Sequence, residues 1–128
     1  MLLYEMQKVI YQTLKPVLTV PIYDYYPDAD EGSFPFVIID EIEKNYNNDW
    51  STRDSETVEI SVMLNVWGDS VDRRKVNELM EIIECTLKND LQTDDFHFSF
   101  IKNYSSRIAR TQDNFVNGEV RLTYRTEE

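Results

Sequence analysis

The stretch from Ser55 to Leu91, SETVEISVMLNVWGDSVDRRKVNELMEIIECTLKNDL, constrains the fold more than any other part of this chain. Its first half alternates. Val58, Ile60, Val62, Leu64 and Val66 fall on one side, while Glu59, Ser61, Met63, Asn65 and Trp67 fall on the other. Side chains on a strand alternate between faces, so this pattern predicts a strand over 57–67 with one face in a core and one partly wet, as in an antiparallel sheet. Gly68 interrupts it. Beyond it, Val71, Val76, Leu79, Met80, Ile83 and Leu87 recur at helical spacing, opposite Arg73, Arg74, Glu78, Glu81 and Lys88. Asp69 or Ser70 is placed to cap that helix by accepting its free N–H groups.

The flanks extend the same logic. Leu3, Met6, Val9, Ile10 and Leu14 form a second helical stripe over 2–14, ended at Lys15-Pro16 because proline disfavours helical geometry in the preceding residue. An extended piece is expected over 20–25 and a strand over 34–44, where Phe36, Val37, Ile38 and Ile39 are strongly β-prone. Two separate strands are expected over 96–101 and 104–110, a turn over 111–118, and a last alternating strand over 119–125 with Val120, Leu122 and Tyr124 on one face. The resulting fold class is α+β, a mostly antiparallel sheet with two helices packed on one face. A length of 128 residues suits one domain over 1–128, with a core large enough to bury about two thirds of the unfolded surface.

Composition narrows the partners. The formal net charge of -11 disfavours a nucleic-acid-binding face, which needs cations against phosphates, and disfavours anionic membranes. An acidic wall can still surround a path for DNA, since repulsion prevents sticking. Cys85 is the single cysteine, so no internal disulfide is expected. The start lacks the basic and apolar regions of a signal peptide, and no apolar stretch approaches the roughly 20 residues needed to cross a bilayer.

The residues offer little chemistry. His97 is the single histidine and sits in DDFHFSF, with Phe96, Phe98 and Phe100 expected on the opposite face, so it reads as a surface strand residue. Cys85 lies late in its helix beside Glu81 and Glu84, without the positive neighbourhood that makes a reactive thiolate; a buried or flanking structural position is expected. Asp28, Asp30, Glu31 and Gly32 resemble a fragment of a calcium loop but lack its spacing, and read as a solvated loop. There is no glycine-rich phosphate loop and no CxxC or HExxH pattern. No cofactor, no metal and no catalytic residue is expected.

Residues of interface type do occur. Trp50 and Arg53 stand in a polar connection, NNDWSTRDSE, and such residues are favoured as interface anchors. Arg73 and Arg74, with Lys75, form a basic cluster at a helix start, placed to meet an acidic patch on a neighbouring subunit or simply to be solvated. Arg107 and Arg110 form a looser basic group.

Taken in order, VPIYDYYP, an acidic loop, FPFVIIDEIE, a WST-containing connection, a strand ending in VWGDS, the helix VDRRKVNELMEII and a final alternating strand resemble the tail-completion proteins of long-tailed phages, also called tail terminators or tail-to-head joining proteins. The matching pieces run from about Pro21 to the C-terminus. The resemblance implies a ring of six subunits that caps the tail tube, ends its growth and joins tail to head, with DNA passing through the centre and no enzymatic activity. The implied partners are other copies of the chain, the major tail-tube protein and a head-completion or connector protein, with no membrane. The implied location is the tail–head junction of a virion, after assembly in the bacterial host cytoplasm. Trp50, Arg53, Arg73 and Arg74 are then the candidate subunit-interface residues. A neighbouring head-closure or neck component, and an unrelated small α+β binding module, are the alternative readings.

Overall fold

The computed structural model describes residues 2–27, 34–46 and 57–127. Eight elements follow in order: helix α1 (Leu2–Leu14), β1 (Ile22–Tyr23), β2 (Phe36–Tyr46), β3 (Thr57–Gly68), helix α2 (Arg73–Leu87), β4 (Leu91–Gln92), β5 (His97–Arg110) and β6 (Val116–Glu127). The strands form one six-stranded sheet in the order β1-β2-β3-β6-β5-β4. Among the described residues only the two-residue β1 runs parallel to its neighbour, and the other pairings are antiparallel. This is the α+β fold expected from the sequence.

Both helices pack on one face of the sheet. The five residues Val58, Ile60, Val62, Leu64 and Val66 are fully buried there, as the alternation of β3 predicts. They meet Met6, Ile10 and Leu14 of α1 and Val76, Leu79, Ile83 and Leu87 of α2 in one hydrophobic cluster, completed by Val120, Leu122 and Tyr124 of β6. Burying each large side chain contributes about 1.5–3 kcal/mol, so this interdigitated layer dominates the stability. In the first turn of α1 the buried residue is Leu2 and not the expected Leu3, which is exposed, because Leu2 completes the three-and-four spacing to Met6 and Val9.

Helix α2 rests unusually close to the sheet at its N-terminal end. A Cβ added to Gly118 would lie 2.4 Å from Met80 Sδ and 2.9 Å from Val76 Cγ1. One on Gly68 would lie 2.6 Å from Val76 Cγ2 and 2.8 Å from Asp72 Cβ. Val66 pairs with Gly118, and Gly68 with Val116, so the two glycines form a shallow trough in adjacent strands that receives Val76. Gly118 therefore belongs to the interior of β6 and not to the turn expected over 111–118; that turn is confined to 111–115, with Asn114 at φ 68°.

Three other expectations are corrected. The helix start is Arg73, so Val71 lies before it and is 87% exposed instead of joining the buried stripe. Neither Asp69 nor Ser70 caps the helix; Asp72 occupies the cap position and its carboxylate accepts the Asp69 backbone N–H at 2.8 Å, tying the turn together. The two strands expected over 96–101 and 104–110 are one long strand, β5, whose register slips between Phe100 and Lys102 and between Asn103 and Ser105. Each slip adds a residue against β6 and breaks the alternation, so a continuous strand reads locally as two.

Candidate assembly surfaces

No described helix packs on the other face of the sheet, which is mixed: Phe36 and Ile38 of β2 are buried there beside Trp67 and Asn65, and polar side chains occupy much of the rest. Its most ordered feature is a relay of side chains crossing three strands and a loop. Tyr26 donates its hydroxyl to Asp40 Oδ2 at 3.0 Å, Asn65 Nδ2 donates to the same oxygen at 2.7 Å, and Asn117 Nδ2 donates to Asn65 Oδ1 at 3.2 Å. Asn65 is 5% exposed, so its amide depends on these partners. Burial pushes the Tyr26 hydroxyl pKa up, and the hydrogen bond to the Asp40 carboxylate and its charge push the same way. The edge of the Tyr26 ring meets the Trp67 indole, with ring centres 6.4 Å apart.

Lower on the same face, β6 presents Glu119, Arg121 and Arg125, while β5 presents Lys102 and Arg107 opposite Thr123 and Glu119. Arg121 Nε donates to Glu119 Oε1 at 3.0 Å. That hydrogen bond is the main reason the Arg121 pKa lies above its usual value. A shallow groove of about 240 Å³ runs here between Glu43, Glu59, Lys102 and Arg121. The chain is acidic overall, yet Lys102, Arg107, Arg121 and Arg125 lie on this side of the sheet. Sequence reasoning missed both the relay and this grouping. A mid-strand asparagine at Asn65, a residue type that strands disfavour, is the signal that marked the relay in advance.

The candidate interface residues fare differently. Trp50 and Arg53 lie outside the described residues. Arg73 and Arg74 are both exposed at the start of α2, on the helix layer and far in sequence from the open sheet face. Arg74 Nε lies 3.3 Å from Glu78 Oε1, one turn along, with the two side chains 93% and 51% exposed. Such solvent-screened pairs are worth about 0.3–0.5 kcal/mol, so the pair orients Arg74 without consuming it. Arg107 and Arg110 do not form a group. Three residues apart on a strand, they point to opposite faces. Arg107 lies opposite Glu119, whereas Arg110 turns to the helix layer and donates to the Ser70 carbonyl at 3.0 Å and to Asn114 Oδ1 at 3.3 Å.

His97 is exposed with Phe98 buried behind it, as expected, and its Nε2 lies 3.4 Å from Asp90 Oδ2. His97 lines a groove of about 630 Å³ with Asp95, Phe96, Ser99, Arg125 and Thr126. Cys85 is exposed on α2, a flanking position and not a buried one. The loop holding Asp28, Asp30 and Glu31 lies outside the described residues. Among the described residues no cluster of three or more histidine, cysteine, aspartate or glutamate side chains is placed to hold a metal ion, and no helix is long and apolar enough to cross a membrane.

No family model matches the chain, and no curated protein matches it. Among solved structures, it is similar to a chain from the virion of a native gene transfer agent particle, with a TM-score of 0.75 over 96% of this chain and 95% of that one. The two are 15% identical, so the likeness is one of fold. It extends over nearly the full length of both chains, helices and sheet together.

Proposed function

We propose that this chain is a structural virion protein that closes the tail tube as a ring, ends tail growth and joins the tail to the head. The observation that carries this reading is the end-to-end fold likeness to a chain of a gene transfer agent virion. The ordered resemblance of its segments to phage tail-completion proteins supports it from the sequence side. Six copies form the ring. Its neighbours are the major tail-tube protein on one side and a head-completion or connector protein on the other. DNA crosses the centre without being gripped, in keeping with a net charge of -11. The chain acts as a building block and not as an enzyme, in keeping with a sequence that carries no recognisable catalytic motif.

Electron microscopy of particles made with and without the chain tests this. Without it, tails of uncontrolled length that never join heads are expected. Normal tails joined to heads would overturn the proposal. Tails of normal length beside heads that leak DNA would instead assign the chain to head closure.

A further inference from the structure

Two unlike surfaces lie back to back at one end of the sheet, where β2 begins and β3 stops. There Phe36 pairs with Trp67, and Gly68 ends the strand. On the side without helices, the rings of Phe115, Phe34 and Phe36 stack in a row, with successive centres 5.1 Å and 5.3 Å apart. Trp67 stands beside Phe36 on the neighbouring strand and meets the Tyr26 ring. Phe36 is buried and Trp67 half-buried, so these two form a floor. Phe34 is 39% exposed and Tyr26 56%, so the rim of the aromatic patch faces outward. Contiguous exposed apolar groups mark contact surfaces, and aromatic residues are enriched in them.

The patch is set in acid. From Pro16 to Glu43 the chain holds no lysine or arginine. Asp40, which accepts the Tyr26 hydroxyl, and Glu41 next to it in sequence are both exposed. Asp113 is exposed in the turn that leads to Phe115.

Across the sheet, on the helix side, the opposite chemistry protrudes. The turn after Gly68 crosses to α2, and Asp72 sits against Gly68 on that side. Val71 is 87% exposed within this turn. Arg73, Arg74 and Lys75 follow it, all exposed. Arg74 has Glu78 beside it, while Arg73 and Lys75 have no ion pair among the described residues. The two acids of the turn are directed inward: Asp69 Oδ1 accepts the Ser70 N–H and Asp72 Oδ2 the Asp69 N–H. An apolar side chain held in water beside three cations is a knob that fits an apolar patch with an acidic surround.

We propose that the Val71–Lys75 knob of one copy docks on the Phe34–Tyr26 aromatic patch of a second copy. Charge complementarity selects a second copy, since the knob carries the cations that the patch lacks. Placement agrees, because knob and patch occupy opposite sides of the same sheet end. A copy stacked with its helix layer against the open sheet face of the next, both in the same orientation, brings the two together. Val71 then meets the exposed rings, and Arg73, Arg74 and Lys75 meet the surrounding acids. The contact is heterologous, with different surfaces meeting, and repeated contacts of that kind close into a ring when the rotation allows. This inference rests on the ring reading above and names the surfaces that make the ring.

Native mass spectrometry of the full chain at low ionic strength, across a concentration series, tests it. The unaltered chain is expected to form oligomers beyond the dimer. Val71→Asp spoils the knob and Phe34→Lys spoils the patch, and each alone is expected to weaken association at least about tenfold. Mixed in equal amounts, the two variants are expected to form a one-to-one pair and nothing larger, because each keeps one of the two surfaces intact. Both positions are exposed, and circular dichroism checks that each variant is folded. Tyr26→Lys replaces Phe34→Lys as the patch variant if the latter does not fold. An unaltered chain that stops at monomer or dimer overturns the docking, as do single variants that associate like the unaltered chain. A mixture that stays monomeric or grows beyond the pair overturns it too. Those outcomes leave the tail-length experiment untouched, so the two proposals fail separately.

Discussion

Gly118 and Met80 stand so close that a Cβ on the glycine would lie 2.4 Å from the methionine sulfur. The same atom would be 2.9 Å from Val76 Cγ1. Met80 has a flexible side chain and can yield, but Val76 is β-branched and held in the trough between Gly68 and Gly118. Helix α2 itself must therefore move if a methyl group is added.

For that reason Gly118→Ala is expected to lower the unfolding free energy by about 1–3 kcal/mol, the usual cost of overpacking a close-packed site. Urea unfolding followed by circular dichroism measures it. Val76→Ala in the same background is expected to recover part of the loss, because it empties the space the new methyl group needs.

Tyr124 is expected to make the stability fall at high pH. Its ring is buried among core residues, and its hydroxyl donates to the Leu87 carbonyl at the end of α2. Burial holds its pKa well above the ordinary 10.0, with the Asp90 charge adding to the shift. Below pH 10 the hydroxyl is neutral in both states and the contribution is intact. Above pH 10 the unfolded chain releases this proton and the folded chain does not, so stability falls as pH rises, by up to about 1.4 kcal/mol per pH unit for one group. Tyr124→Phe is expected to flatten this slope between pH 10 and 12. It is also expected to cost about 1–2 kcal/mol at neutral pH, by leaving the Leu87 carbonyl short of its partner.

On the open face, Asp40→Asn removes the charge that both Tyr26 and Asn65 address. The Tyr26 pKa is then expected to move down toward its usual value, though not all the way, because burial is the largest cause of its elevation. Ring-labelled tyrosine followed by NMR through an alkaline titration reads this directly. Asn65→Ala is expected to cost about 1–2 kcal/mol, since it leaves the Asn117 amide without its acceptor and the Asp40 carboxylate without one donor.

Much of the architecture was legible in the residues. The strict alternation in β3 and the three-and-four spacing in α2 gave both elements, their buried faces and the antiparallel class, because each pattern has a single geometric solution. What was not legible came from contacts distant in sequence. The continuity of β5 was hidden by two register slips, which exist only relative to β6. The place of Gly118 inside a strand is set by Val76 and Met80 across the core, while locally an Asn-Gly pair signals a turn. The separation of Arg107 from Arg110 follows from the strand's two faces, which matter only once both residues are known to share one strand. For the candidate assembly surface, the single-residue approach picked arginines and a tryptophan by type.

The most direct test of the central claim is a cryo-electron microscopy reconstruction of intact particles that carry this chain. A closed ring of six copies at the junction of tail and head is the predicted result. A particle in which the chain lies elsewhere, or from which it is missing altogether, would contradict it.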